Sequence, residues 1–166
     1  MRELFSQQLI QSRLDELAPK IEAKINGQFV VIGVLKGAFV VTADLIRRFK
    51  SPILVDFIWL SSYGQKSSPG ELKLICDSRL DISGQKVLVV EDIVDTGQSL
   101  EWLLKHLEKR GAKEIYSFAL IKKSRRKARI EVDFYAFEIG DEFVVGYGMD
   151  LAEEGRELPG VYLVEL

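Results

Sequence analysis

VLVVEDIVDTGQSL, residues 87–100, changes character twice along its length. Its four leading apolar residues favour β structure and predict a strand that is buried on both faces of a parallel sheet. Three carboxylates then fall within five residues, and small or hydroxyl-bearing side chains follow them. From Leu100 onward, leucines recur at the spacing of an amphipathic helix, and Gly111 is placed to end it. The segment therefore predicts a strand, a loop and a helix of an α/β fold.

The loop of this unit suits a sugar that carries phosphate groups. Ligands of open α/β sheets bind beyond the carboxyl ends of the strands. A helix start offers free backbone N–H groups, so Thr96, Gly97, Gln98 and Ser99 can hold a phosphate through backbone amides and the hydroxyls of Thr96 and Ser99. Glu91, Asp92 and Asp95 would repel a phosphate, but they can accept hydrogen bonds from sugar hydroxyls, hold Mg²⁺ or take a proton. A solvated acidic turn with a Thr or Ser cap is the local alternative.

The composition describes one domain, 1–166, with a substantial core. The chain has 166 residues, of which 47% are hydrophobic, and a net charge of −2. That charge gives no general attraction to nucleic acid or to an anionic membrane. Cys76 is the one cysteine, so neither an intrachain disulfide nor a four-cysteine metal site is possible. No apolar run approaches the roughly 20 residues that span a bilayer, and we expect a cytoplasmic protein with no membrane partner.

Further elements alternate in the same way along the chain. A helix is expected at about 6–25, a strand at 29–35 that leads through Lys36 and Gly37 into a helix at 38–49, and further strands at 53–60, 114–121, 132–137 and 161–166. A lysine–glycine step at a strand end can approach a pyrophosphate, although a turn lysine in water is the ordinary reading. The alternation predicts a mainly parallel central sheet that is flanked by helices.

Two irregular stretches remain open to more than one interpretation. Residues 61–70 are rich in Ser, Gly and Pro, and 71–75 can return as the second arm of a hairpin. The region 61–75 is then either an idle surface loop or a flexible lid, which would exclude water from a reactive sugar centre. Six of the eight residues in 122–129 are basic, but the acidic chain and the lack of aromatics there favour a solvated or phosphate-facing loop over nucleic-acid binding.

The segment 87–100 resembles the phosphoribosyl-pyrophosphate (PRPP) signature of the type I phosphoribosyltransferases, in the form typical of the hypoxanthine-guanine branch. Other matching motifs follow in the same order between about Val30 and Val161: Lys36-Gly37, Ser62-Tyr63, FVVGYGMD at 143–150, Arg156 and Leu158-Pro159. The resemblance implies the type I phosphoribosyltransferase fold, with a small hood lobe and a flexible catalytic loop. Gly140, Leu151 and Gly155 depart from the residues common in the family.

The same resemblance implies roles around PRPP. Lys36, Gly37 and Arg156 would contact the pyrophosphate, and Ser62 and Tyr63 would begin a loop that closes over it. Glu91 and Asp92 would hold the ribose hydroxyls, directly or through Mg²⁺, and Asp150 would face the same metal. Asp95 would accept a proton from the purine ring. The remaining PRPP contacts would come from Ile93, Val94, Thr96, Gly97, Gln98 and Ser99.

The resemblance also implies a site for a 6-oxopurine. Lys122 would contact the exocyclic oxygen, since an ammonium only donates hydrogen bonds and so prefers a carbonyl to the amino group of adenine. Phe143 would stack on the base, and Val144 would meet its edge through the backbone. Judged by themselves, Phe143 and Tyr147 are ordinary core or sheet-face aromatics. His106 is expected to be an exposed helical residue, neither ligand nor base.

The activity implied is purine salvage: Mg²⁺-dependent transfer of 5-phosphoribosyl from PRPP to hypoxanthine, and to guanine, giving IMP or GMP and pyrophosphate. We expect a homodimer or homotetramer and no nucleic-acid partner. One alternative is a transferase that prefers xanthine, guanine or a pyrimidine. Another is an RNA-binding regulator that uses the PRPP fold to sense nucleotides, for which the basic run 122–129 is the support.

Overall fold

The computed structural model describes residues 1–63, 71–124 and 129–165. In chain order the elements are β1 (Arg2–Phe5), α1 (Gln7–Ile25), β2 (Phe29–Leu35), α2 (Phe39–Ile46), β3 (Ile53–Tyr63), β4 (Glu71–Cys76), β5 (Lys86–Val94), α3 (Gln98–Lys109), β6 (Glu114–Lys123), β7 (Phe134–Ile139), β8 (Val144–Val145) and β9 (Val161–Leu163). In the described ranges, no helix combines the length and the apolar character needed to cross a membrane.

A six-stranded sheet forms the centre, in the order β4-β3-β2-β5-β6-β7. All neighbouring strands run parallel except β4, which pairs antiparallel with β3 at one edge. The chain proceeds from β2 to β3 on one side and from β5 to β6 on the other, so the strand order reverses between β2 and β5. Such a switch point leaves a crevice at the carboxyl ends of the two strands, where α/β proteins bind ligands.

Helices cover both faces of this sheet because their apolar residues repeat at helical spacing. On one face, α1 buries Ile10, Leu14 and Ile21 completely, in a core shared with α2. On the other face, α3 buries Leu100, Leu103 and Leu107. The mainly parallel sheet with flanking helices is therefore confirmed.

A second, three-stranded sheet is built in the order β1-β9-β8 and forms a small lobe beside the carboxyl ends of the central strands. Its pairing is antiparallel, and it joins the beginning of the chain to its end, with Arg2 opposite Leu163. Tyr147, which follows β8, ties this lobe to the helices: its hydroxyl donates to Asp44 on α2 and accepts from the Gln11 amide of α1 at 3.0 Å. Burial and the Asp44 carboxylate both raise the pKa of Tyr147, so the hydroxyl stays protonated.

Several predicted boundaries are wrong because strand pairing extends beyond the apolar runs. β3 continues to Tyr63, so residues 61–63 of the expected flexible loop 61–75 are strand. The antiparallel pairing of β3 with β4, in which Tyr63 lies opposite Glu71, confirms the hairpin arm predicted at 71–75. Within that loop, 64–70 lie outside the described residues. β5 continues to Val94, which places two of the predicted loop carboxylates in the strand itself. β6 continues to Lys123, while 125–128 of the basic run also lie outside the described residues.

His106 is not the exposed residue that its sequence position suggests. Its ring stacks on Trp102 at a centroid distance of 4.9 Å, and its Nε2 lies 2.8 Å from the Asp77 carboxylate. Arg110 donates to the other oxygen of Asp77 at 3.0 Å. These contacts fasten α3 to the segment that follows β4.

Candidate active site

An open cavity of about 690 Å³ lies at the switch point of the central sheet. The strand ends of β2 and β5 form its floor, β3 and β4 form one wall, and the turn after Met149 forms the other. Its polar lining comprises Lys36, Gly37, Ser61, Ser62, Glu91, Asp92, Ser99, Asp150, Glu153 and Arg156. Most of the residues that the sequence predicted for a PRPP site are thus brought together.

Gly37 allows the loop after β2 to pack directly on the acidic end of β5. A Cβ atom at this position would lie 1.8 Å from the Asp92 Oδ2 atom, so any other residue here would displace the Asp92 carboxylate. Absence of a side chain therefore lets the Lys36-Gly37 backbone and the Asp92 carboxylate share one wall of the cavity.

Glu91 and Asp92 are adjacent carboxylates in a poorly solvated place. Glu91 is buried, and burial together with the neighbouring Asp92 charge holds its pKa well above the ordinary range. Burial also raises the pKa of Asp92 to about 6, although the Ile93 N–H donates to this carboxylate at 2.8 Å. Their ionised forms need a cation nearby, and carboxylate oxygens are the ligands that Mg²⁺ prefers.

The predicted metal set of Glu91, Asp92 and Asp150 is not assembled as one group. Among the described residues, no three His, Cys, Asp or Glu side chains are arranged to hold a metal ion. The Asp150 carboxylate instead pairs with Arg156 at 2.9 Å and accepts the Glu153 N–H at 2.8 Å. A magnesium ion fits beside Glu91 and Asp92 only if a ligand or water supplies further oxygens.

Lys36 and Arg156 converge on a single carboxylate, that of Glu153. The Lys36 Nζ lies 2.8 Å from the Glu153 Oε2, and the Arg156 Nη2 lies 3.4 Å from the same oxygen. Hydrogen bonding to Lys36 leads the causes that lower the pKa of Glu153. Arg156 is fixed by a hydrogen bond from its Nη1 to the Gly148 carbonyl at 2.9 Å. Two cations far apart in the sequence thus form an anion-binding corner, and sequence reasoning missed the acidic residue between them.

A smaller cavity of about 110 Å³ is enclosed by residues 91 and 93–100. α3 begins here at Gln98, and Gly97 at its N-cap has a φ of +80°, which favours glycine. The Gln98 N–H donates to the Thr96 Oγ1 at 3.3 Å. The first N–H groups of a helix lack acceptors within the helix, so this cavity has the donors and the positive dipole end that a phosphate needs.

A third cavity has a volume of about 230 Å³ and lies beside the exposed ring of Phe143. Its lining comprises Asp92, Ile93, Asp95, Lys123, Glu142, Phe143, Val144, Met149 and Asp150. Phe143 is 54% exposed, so its ring offers a free stacking surface. The Lys123 Nζ lies 5.3 Å from the centre of that ring, although only 8% of Lys123 is exposed. Asp95 lines both this cavity and the phosphate-sized one.

Lys122, the lysine predicted to contact a base, does not line this cavity. Its ammonium lies 5.0 Å from the centre of the Tyr135 ring. Successive residues of a strand point to opposite faces of a sheet, so only one lysine of the pair can face the Phe143 side. The structure places Lys123 on the Phe143 side. From the sequence, the alternation of a strand shows only that one of the two lysines faces that side, and not which one.

The two residues predicted to start a catalytic loop are the last of β3. Ser62 lines the large cavity, whereas only the backbone of Tyr63 is described, in its pairing with Glu71. Closure of Tyr63 over a ligand remains a prediction.

Comparison with known proteins gives consistent matches. The family model described as "Phosphoribosyl transferase domain" matches residues 1–152. Hypoxanthine-guanine phosphoribosyltransferase of Aquifex aeolicus is 42% identical over 166 residues, covering 98% of this chain and 93% of that protein. The Bacillus subtilis enzyme of the same name is 42% identical over 94% of this chain and 88% of its own length. A crystal structure of a Bacillus anthracis hypoxanthine-guanine phosphoribosyltransferase superposes with a TM-score of 0.93 at 42% identity, covering 99% of both chains.

Proposed function

This chain belongs to the phosphoribosyltransferase family, and we propose that it transfers 5-phosphoribosyl from PRPP to hypoxanthine, and also to guanine, in purine salvage. The products are IMP or GMP and pyrophosphate. Relatives with the hypoxanthine or hypoxanthine-guanine name match nearly the full length of the chain, which supports this reaction.

One observation carries the proposal: the acidic end of β5 borders all three cavities. Ile93 lines each of them, Asp92 lines the large and the base-sized ones, and Asp95 lines the base-sized and the phosphate-sized ones. A ligand with a phosphate, a sugar, a pyrophosphate and a neighbouring base would lie across this segment with its ribose in the middle. PRPP and a purine together have those parts.

The binding roles follow from charge and position. Lys36 and Arg156 bind the pyrophosphate with the Gly37 backbone beside them, and Thr96, Gly97, Gln98 and Ser99 bind the 5′-phosphate at the start of α3. Glu91 and Asp92 hold the ribose hydroxyls and, together with ligand oxygens, would hold a Mg²⁺ ion, while Asp150 orients Arg156. Bound Mg²⁺ would neutralise the charge that grows on the leaving pyrophosphate.

The reaction exchanges one bond at the sugar for another. The bond from ribose C1 to a pyrophosphate oxygen breaks, the oxygen keeps the electron pair, and C1 bonds to a purine ring nitrogen. Asp95 accepts a proton from the purine ring, which makes the attacking nitrogen a better nucleophile. Stacking on Phe143 and backbone contact at Val144 hold the base, and Lys123 donates to its exocyclic oxygen.

We further expect the whole chain, 1–166, to act as one domain, as a homodimer or homotetramer in the cytoplasm. These expectations rest on its size, its composition and the absence of a long apolar run. Ser62 and Tyr63 would border a catalytic loop that excludes water during transfer.

The test is nucleotide formation from PRPP and Mg²⁺ with hypoxanthine, guanine, xanthine, adenine and uracil. We expect IMP and GMP to form, and the Asp95→Asn variant to retain PRPP binding but to lose roughly 100-fold or more in kcat, the usual scale for a positioned proton acceptor. Normal turnover by the variant would remove the proton role. If the protein bound PRPP but formed no nucleotide from any of these bases, the proposed transferase would be wrong and a nucleotide sensor would be the better proposal.

A further inference from the structure

Glu153 holds the place at which the proposed function requires an anion to bind. Its carboxylate lies 2.8 Å from the Lys36 ammonium and 3.4 Å from the Arg156 guanidinium. Lys36 comes from the loop after β2, 117 positions away in the chain, so this contact joins two separate segments that line the large cavity. A negative group thus already bridges the two cations that the pyrophosphate would use.

The backbone around Glu153 presents this side chain on a tight turn. Leu151 and Glu154 exchange backbone hydrogen bonds of 3.0 and 3.2 Å, and the two residues between them, Ala152 and Glu153, both have positive φ, +52° and +70°. Turns of this type favour Gly, Asn or Asp at such positions, and a glutamate there adopts a sparsely populated conformation. The turn presents the Glu153 side chain to the Lys36 ammonium.

The ion pairs of Glu153 with Lys36 and Arg156 can be replaced by a bound anion. The side chains of Lys36 and Glu153 are 45% and 66% exposed, so water reaches their ion pair. Exposed pairs of this kind contribute little free energy. Pyrophosphate carries several negative charges and can engage both cations at once, so it would displace one carboxylate. It would also repel that carboxylate as long as the side chain stays near.

We propose that Glu153 is an internal competitor of pyrophosphate, a carboxylate that holds Lys36 and Arg156 in the free protein and returns to them as the product leaves. This inference rests on the proposed function. By opposing the retained product, Glu153 keeps product inhibition low, and it does so without touching the reacting atoms. It is a positioning residue for Lys36 and for release.

The test measures the Kd of inorganic pyrophosphate with Mg²⁺, by calorimetry on the full chain, for the wild type, Glu153→Gln and Glu153→Gly. The glycine variant removes the carboxylate and also suits the positive φ, so it guards against a folding defect. We expect both variants to bind pyrophosphate roughly three- to tenfold more tightly, the scale of an exposed ion pair plus relief of repulsion. The inhibition constant of pyrophosphate in the transfer reaction should fall by the same factor.

Glu154→Gln is the matched control, because it removes the same charge from the next residue, an exposed one, and should leave the Kd unchanged. In a Lys36→Gln background, the gain from Glu153→Gln should shrink, since the nearer of the two contested cations is gone. Unchanged or weaker pyrophosphate binding in both Glu153 variants would overturn the inference. A wild type that binds no pyrophosphate and makes no nucleotide would instead overturn the proposed function, so the two failures are distinguishable.

Discussion

The ammonium of Lys123 lies 5.3 Å from the centre of the Phe143 ring, within reach of a base stacked on that ring. A hydrogen bond from a charged donor to the exocyclic oxygen contributes about 1.5–3 kcal/mol. We therefore expect Lys123→Met to raise the KM for hypoxanthine by roughly 10- to 100-fold, with little change in the KM for PRPP. Steady-state kinetics with each substrate varied in turn would measure both.

Lys122→Met is the matched control, since it removes the same charge one residue away. Its ammonium lies over Tyr135 and Lys122 does not line the base-sized cavity, so we expect hypoxanthine binding close to that of the wild type. The reverse result, with Lys122 essential and Lys123 dispensable, would return the role to the residue that the family resemblance implied. Equal loss for both substrates in Lys123→Met would argue against base recognition.

At the scale of elements, the start of α3 combines binding and stability in one glycine. Gly97 has a φ of +80°, and a Cβ there would lie 3.1 Å from the Ile130 Cγ2. We expect Gly97→Ala to lower the free energy of unfolding by about 1–2 kcal/mol, because an L side chain is strained in this conformation. Urea denaturation would measure it, and PRPP affinity should fall as well, since the helix start turns its N–H groups toward the phosphate cavity.

Gly97→Asn separates the two causes, because asparagine tolerates a positive φ better than alanine but brings the same Cβ. A smaller loss of stability in the asparagine variant would assign the cost to backbone strain. If both variants lost equally, contact with Ile130 would be the cause. Full stability in both would contradict the expectation.

Elements with local causes could be predicted from the sequence. α1 was expected at about 6–25 because its apolar residues repeat at helical spacing, and the structure adds that Ser6 accepts the Leu9 N–H at 3.2 Å. β1 was missed because its four residues gain their partner only from β9, at the other end of the chain. The strand character of Glu91 and Asp92 was missed for a similar reason. Carboxylates seldom extend a buried strand, and here the pairing with β6, which continues from Glu91 to Val94, keeps them in it.

The same distinction holds for the site. The acidic segment of β5 and the glycine of the Lys36-Gly37 step were predictable because their chemistry is written in adjacent residues. Glu153 was not, since its importance arises from contact with a lysine 117 positions away. The choice between Lys122 and Lys123 depends on the phase of β6, which pairing with β5 and β7 decides.

At the scale of the whole molecule, the acidic pair Glu91 and Asp92 serves ligand binding at a cost in stability. Burial raises the pKa of Asp92 to about 6, so the folded state holds this proton more tightly than the unfolded chain does. The stabilisation is then fully present below the ordinary pKa of an aspartate and is lost as the pH rises through about 6. The charge of Glu91 adds to the cost, because its pKa is raised by burial and by Asp92. At neutral pH, the protein without ligand therefore carries an unfavourable charge at its active site.

We expect Asp92→Asn to unfold at a higher temperature than the wild type at pH 7–8, with a difference that shrinks between pH 6 and pH 4, where the aspartate becomes neutral like the amide. Thermal unfolding across pH 4–8 measures this, with Glu154→Gln as a control for net charge. PRPP with Mg²⁺ should reverse the order, since a ligand that binds only the folded state raises its stability, and the variant would bind it poorly. A variant that is less stable than the wild type at every pH would show that Asp92 is a structural hydrogen-bond acceptor. If Asp92→Asn were more stable than the wild type without ligand, and PRPP with Mg²⁺ no longer stabilised it, the Asp92 charge would be shown to serve binding of the metal and the sugar.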